Sequence, residues 1–284
     1  MGARENQNVS VIILTKNSAQ TIGTCLKSVI CERPREIIAV DGDSQDGTLS
    51  ILKDYGVKII TDASRSLGRS RQLGVEAATG NYVMFVDSDV ELTAGCIMRM
   101  RTEIENFGWV GIHAMIVGKE NLTYWQNAVN TIFSGFNQVG PKSQIGTIAA
   151  LFRRSTLLET PFDPDLIDAA EDIDLCLRLG RRGLLVGVSH AVAYHHHRRD
   201  FLAFVRQCFR NGKGEGRLGR KYGSARTLVR PLERTLVLSI RSILGGRASL
   251  VPYWFVYGCA EFAGIIAFTS NVGKGSNFGW KKHP

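Results

Sequence analysis

Apolar positions along this chain follow two rhythms. Val9 to Thr15 (VSVIILT) is a continuous run rich in β-branched residues, the pattern of a strand buried on both faces. Ser18 then stands ready to cap a helix whose Ile22, Leu26, Val29 and Ile30 recur at helical spacing. EIIAVDGDSQDGT predicts a second strand, a polar turn and a helix start that continues through ILKDYG. VKIIT (57–61) is a third short strand, Leu67 to Ala78 a helix, and NYVMFVDSDV a fourth strand ending in acid. Strands separated by helices of this length predict βαβ crossovers and a parallel sheet, where ligands gather at the carboxyl ends of strands. Asp41, Asp43, Asp87 and Asp89 all fall at such ends.

From about Trp109 to Thr160 the pattern is less regular. AEDIDLCLRLGRRG (170–183) is a helix, with Ile173, Cys176, Leu177 and Leu179 available for an apolar face and Gly183 to end it. LLVGVSHAVAYH predicts a strand or strand pair leading to His195. Further on, Val229 to Leu244 carries Leu232, Leu236, Ile240 and Ile243 on one face. Arg230, Arg234 and Arg241 sit about 200° round that helix. Leu250 to Thr269 is apolar but for Glu261 and has the length to cross a bilayer. Glu261 near its middle would cost roughly 2.5–3.5 kcal/mol there, so Pro252, Tyr253, Trp254 and Tyr257 fit an interfacial or buried helix better.

Length and composition narrow the class. The 284 residues, 44% hydrophobic and 21% charged, suit one large α/β domain with an appendage and exclude a disordered chain. The expected division is 1–212 for the α/β domain and 213–284 for a basic, helical, partly apolar extension. Six scattered cysteines without a C-x-x-C pair argue against a zinc ribbon or disulfide framework and for a reducing cytosol. No apolar leader stands at the N-terminus, so a cytoplasmic location is expected. Net charge is +9, and residues 198–247 hold 13 Lys and Arg against 3 Asp and Glu, leaving the rest near neutral. A basic tail on a neutral body implies an anionic partner, here an anionic membrane surface at its cytoplasmic face. No nucleic-acid motif accompanies the charge.

Candidate chemistry sits at the strand ends. Asp87-Ser88-Asp89 places two carboxylates where a strand opens into a cleft, and carboxylate oxygens suit Mg²⁺ or Mn²⁺; a solvated turn is the ordinary alternative. Asp41 and Asp43 in VDGDSQDGT could accept hydrogen bonds from a base or ribose, although Asp, Gly and Ser also make plain turns. Arg71 could contact a diphosphate, against the commoner solvated helix arginine. Glu171 and Asp172 at a helix start fit the helix dipole as readily as they fit catalysis. In extended backbone His195 and His197 share a face and His196 points away, offering metal ligands or simply hydrogen-bonded histidines.

In this order and spacing, VSVIILTKN, VDGDSQDGT, SLGRSRQLGVEAATGNYVMFVDSDV, FRR…FDPDLIDAAEDIDLCLRLGRRG and AVAYHHHRR resemble glycosyltransferase family 2 over about residues 8–212. That resemblance implies a GT-A fold, a mostly parallel sheet flanked by helices. It also implies Asp41 against the base of a UDP- or GDP-sugar, with Leu14, Thr15 and Asn17 nearby, and Arg71 facing the diphosphate. Asp87 and Asp89, with Ser88 between them, would hold donor and metal, and His195 would complete the metal site. Asp172, with Glu171 beside it, would match the catalytic base. Where the family commonly has V-D-D-G-S, this chain has Val40-Asp41-Gly42-Asp43-Ser44, so the partner of Asp43 is left open.

The chemistry fits independently: a cation and an arginine stabilise a departing diphosphate, and a carboxylate activates a hydroxyl. The expectation is an inverting displacement onto a glycan or lipid-linked acceptor. A polyprenyl-phosphate sugar synthase, whose phosphate acceptor needs no base, is the nearest alternative, and a non-catalytic anionic-lipid-binding protein the next. An NAD oxidoreductase is disfavoured because no G-x-G-x-x-G follows Leu14.

Overall fold

The computed structural model describes residues 5–64, 66–119, 123–197 and 200–272. In chain order the elements are β1 (Val9–Thr15), α1 (Ile22–Cys31), β2 (Glu36–Asp41), α2 (Thr48–Asp54), β3 (Lys58–Thr61), α3 (Leu67–Ala77), β4 (Tyr82–Asp87) and β5 (Val90–Leu92). They continue as α4 (Cys96–Phe107), β6 (Gly111–Gly118), α5 (Tyr124–Phe136), β7 (Gly140–Lys142), β8 (Ala149–Arg153), α6 (Arg154–Glu159), α7 (Glu171–Arg181) and β9 (Val186–His195). Three long helices follow: α8 (Phe201–Lys221), α9 (Arg230–Leu244) and α10 (Val251–Val272). Of the described residues, those of 1–122, 129–165 and 171–197 form one compact unit and those of 123–128, 166–170 and 198–284 another.

The first unit is built on a sheet ordered β3-β2-β1-β4-β8-β6-β9-β5, with β7 also paired to β9. β1 to β4 are mutually parallel, as the apolar runs and crossover helices require. Beyond β4 the sheet is mixed rather than mostly parallel: β8 lies antiparallel to β4 and β6, while β9 runs parallel to β6 and antiparallel to β5. The stretch 109–160, less regular in its periodicity, supplies two central strands, β6 and β8. Gly111 and Gly187 let neighbours close in, since a Cβ on either would collide with the ring of Phe152 or Trp109; such residues dilute the β pattern in sequence.

Alternation along β1 sends Val9, Val11 and Ile13 to the layer of α1 and α4, where Ile22, Leu26, Ile97 and Met100 are buried. Ile12 goes to the other layer, with Phe85, Phe152, Phe162, Leu175 and Leu179. α1 begins at Ile22 behind Thr21, and Ser18 does not cap it through its side chain. In α7 the buried residues are Leu175, Cys176 and Leu179 together with Glu171 and Asp174, while Leu177 is exposed. The apolar face expected from spacing is thus rotated, because the first-turn acids are what the fold draws inward.

In the second unit α8 runs unbroken through residue 213, so the division expected at 212/213 falls inside a helix. Glycine in a helix costs about 1 kcal/mol against alanine, yet α8 carries four in eight residues. Each touches a neighbour: a Cβ on Gly212 would meet the backbone of Glu261, on Gly214 that of Ala169, on Gly216 the ring of Phe268, and on Gly219 Thr227. α10 reciprocates with Gly264 against the carbonyl of Phe209. Lys213 and Arg217 are paired with Asp168, and Arg234 of α9 with Glu261 of α10. Glu261, expected to penalise a membrane position, is buried against a cation instead.

Candidate active site

The carboxyl ends of β1, β2 and β4 are adjacent because the strands are parallel and in register: Thr15 lies opposite Asp41, and Leu14 opposite Asp87. Side chains lace the loops beyond them. The Thr15 hydroxyl donates to Asp41 Oδ1 at 2.8 Å, and Ser44 donates to the same carboxylate from its hydroxyl (2.6 Å) and its backbone N–H (2.8 Å). Asn17 N–H donates to Ser44 Oγ, and Gln45 N–H to Asn17 Oδ1, each at 2.9 Å. Asp41, expected against a base, is therefore fully buried and braces these loops, because three internal donors already engage it. Asn17 and Asp43 are exposed beside it, Thr15 is buried and Leu14 half-buried. Asn17 and Asp43 both adopt left-handed φ, at 50° and 64°, a conformation that Asn and Asp tolerate better than other side chains.

Asp87, Ser88 and Asp89 are half-buried at the end of β4. Ser88 Oγ lies 2.8 Å from Ser18 Oγ, tying the Asp-Ser-Asp turn to the β1 loop. β5 runs antiparallel to β9, with Val90 opposite His195, and this pairing brings His195 Nε2 to 3.3 Å from Asp89 Oδ1. His195 Nδ1 lies 2.6 Å from Nδ1 of His197, whose ring stacks on Phe133. His196 turns away to Glu91, as extended backbone dictates. Burial, with His195 alongside, holds His197 down at about 4. The Asp87 carboxyl is pushed up to about 6 by burial, with Arg71 opposing and Asp89 adding to the rise.

Arg71 joins this cluster to α7. Expected to be solvated or to face a diphosphate, it is only 5% exposed. Its Nε donates to Glu171 Oε1 at 2.9 Å, and Nη2 lies 3.7 Å from Asp87 Oδ1. The guanidinium carbon sits 5.5 Å from the centre of the Phe85 ring, and the buried Nη1 has no hydrogen-bond partner. Ala170 holds a left-handed φ of 72° just before α7, a strained conformation for alanine. Glu171, next in the chain, is turned inward at 4% exposed, and Asp172 beside it is half-buried. The Asp172 carboxyl is pushed up to about 7, by burial first and by Glu171 beside it second.

Two residues that pattern reading did not single out complete this side. A Cβ on Gly146 would stand 3.6 Å from His113 Nε2 and 3.7 Å from Asp172 Oδ2. His113 is 8% exposed, its Nε2 lacks a hydrogen-bond partner, and burial holds it down at about 4. A lone histidine inside an otherwise apolar strand (GIHAMIVG) was the available signal.

No three His, Cys, Asp or Glu side chains among the described residues form a ready-made metal cage. The donor set nevertheless fits a hard or borderline divalent cation. Ligands on neighbouring corners of an octahedron with ~2.1 Å bonds stand about 3 Å apart, close to the separation of Asp89 Oδ1 and His195 Nε2. Crowding of Asp87 and Asp89 is also what a cation would relieve.

Residues 10–159 match the family model for glycosyl transferase family 2. The chain belongs to that family, and its sheet is of the GT-A type. Glycosyltransferase AglE of Haloferax volcanii is 27% identical over 225 residues, 73% of this chain and 72% of that protein. Cholesterol galactosyltransferase of Borreliella burgdorferi is 35% identical over 107 residues, which span 34% of this chain and only 30% of that relative. Among solved structures, S. aureus TarS 1-349 in complex with UDP-GlcNAc has a TM-score of 0.56 at 16% identity, covering 94% of this chain and 92% of its own. GalNAc-T7 with UDP, GalNAc and Mn²⁺ has 0.55 at 17%, covering 68% and 44%.

Proposed function

We propose that this glycosyltransferase moves a sugar from a nucleoside-diphosphate sugar to an acceptor hydroxyl, with inversion at the anomeric carbon. The observation that carries the reading is Arg71, one buried cation that reaches Asp87 on the donor side and Glu171, next to Asp172, on the other. Asp172 takes the proton of the acceptor hydroxyl. The hydroxyl oxygen then bonds to the anomeric carbon as the bond to the diphosphate oxygen breaks, and the electron pair leaves with the nucleoside diphosphate. A carboxylate titrating near 7 is matched to this task at neutral pH. Arg71 Nη1, buried and without a partner, is a donor for the diphosphate.

Asp87, Asp89 and His195 would hold Mg²⁺ or Mn²⁺, which when bound neutralises charge gathering on the leaving diphosphate. Leu14, Thr15, Asn17, Asp43 and Ser88 line the donor end, with Asp41 bracing their loops. UDP is favoured as the donor nucleotide because TarS and GalNAc-T7 were each solved with it. The acceptor is a glycan or a lipid-linked glycan at the cytoplasmic face of a membrane. The basic segment 198–247 and the 23-residue apolar stretch Ala248–Ser270 support that placement.

A panel of nucleotide sugars, screened by thermal shift with and without Mn²⁺, tests the reading, since a specific ligand raises the melting temperature by mass action. One donor should raise it in a Mn²⁺-dependent way. A flat response across the panel overturns the donor class.

A further inference from the structure

α9 presents the face that an isolated soluble helix would hide. Leu232, Leu236, Val237, Ile240, Ile243 and Leu244 are 45–82% exposed, on one side of a fifteen-residue helix. The opposite side is consumed in fixing α9 to α10. Arg234 pairs with the buried Glu261 and stacks 5.3 Å from the centre of the Tyr257 ring. The Trp254 indole N–H donates to Ser242 Oγ at 3.0 Å, and a Cβ on Gly258 would strike Thr235. Arg234 is therefore partly buried against α10, and the apolar stripe faces outward. Glu233 interrupts the stripe in the first turn, which leaves Leu236 to Leu244 as its deepest part.

We infer that α9 docks this protein on an anionic bilayer surface, lying in the plane of the headgroups with Leu236, Ile240, Ile243 and Leu244 in the acyl boundary. The inference rests on the membrane placement proposed above and specifies its contact. Exposed apolar patches of this kind mark interaction surfaces, and the charge beside the stripe decides the occupant. By helical geometry Arg230 and Arg241 flank it at about 20–40° beyond Val237, both are exposed, and exposed Arg226 and Arg247 stand just beyond the two helix ends. An apolar stripe edged with arginines is the pattern of helices that lie in an interface. Two copies meeting stripe to stripe would set the same arginines against each other.

The test is flotation of the full chain with phosphatidylglycerol–phosphatidylcholine vesicles and with phosphatidylcholine vesicles, alongside hydrolysis of a soluble donor and light scattering without lipid. Leu236→Glu/Ile240→Glu should weaken vesicle binding by about tenfold or more and leave donor hydrolysis and circular dichroism unchanged. Arg230→Gln/Arg241→Gln should weaken it several-fold, and only on anionic vesicles at low salt. Equal binding by the double-glutamate variant overturns the docking surface while leaving the transferase reading intact. So does a lipid-free dimer that this variant converts to monomer, which would make the stripe a contact between copies. Loss of donor hydrolysis in the parent chain bears on the transferase reading alone.

Discussion

Arg71 and Glu171, one hundred residues apart in sequence, meet as a buried ion pair with Nε 2.9 Å from Oε1. Removing one partner strands a desolvated charge. Arg71→Met should cost about 3 kcal/mol in denaturant unfolding. Arg71→Met/Glu171→Leu should recover much of that loss while transferring no sugar. Equal destabilisation in single and double variants would mean that packing around Phe85, and not the charge, sets the cost.

Asp89 and His195 should act together. Asp89→Ala is expected to abolish Mn²⁺-dependent donor binding while the far-ultraviolet spectrum stays native, and His195→Ala should weaken it in the same direction. Calorimetry showing donor affinity unchanged in Asp89→Ala would remove the cation from these residues.

As the proposed base, Asp172 should give the reaction its pH dependence. As a base it must be ionised, so turnover should rise with pH through about 7, and Asp172→Asn should lower it by about 10²–10⁴. Donor affinity should hold. Normal turnover in the variant would favour an ionised acceptor such as a polyprenyl phosphate.

The same carboxyl makes a stability prediction of opposite sense. Its folded pKa lies above the unfolded value, so the fold holds the proton more tightly, and the stability this gives is lost as pH rises toward and through 7. Asp172→Asn should therefore melt a few degrees higher than the parent at pH 8, with the gap closing toward pH 4. Scanning calorimetry at three pH values decides it.

Gly146→Ala separates space from stability. The added methyl would make ordinary contacts of 3.6 and 3.7 Å with His113 and Asp172, so melting should change little. If the acceptor occupies the gap beside Asp172, its KM should rise while donor hydrolysis persists. An unchanged KM would place the acceptor elsewhere.

Much of the first ninety residues was legible from sequence. Strands buried on both faces leave continuous apolar runs, and a parallel sheet must put their acidic ends side by side. β1 to β4 and the strand-end positions of Asp41, Asp87 and Asp89 follow from that alone. The Glu171-Asp172 pair and the His195–His197 run were visible as residue types in order, but not as neighbours of anything.

Three relations belonged to the tertiary structure. β8 enters the sheet antiparallel, between β4 and a β6 diluted by glycine and histidine, a pairing set by distant partners rather than by local periodicity. Arg71 reads locally as a solvated helix residue until α7, packed in the same layer, brings Glu171 against it. In α9 the 3.6-residue repeat defines two faces, yet period alone does not say which is hidden. That was decided by Glu261, 27 residues downstream, because a buried carboxylate requires a cation and so turns Arg234 inward and Leu236 out.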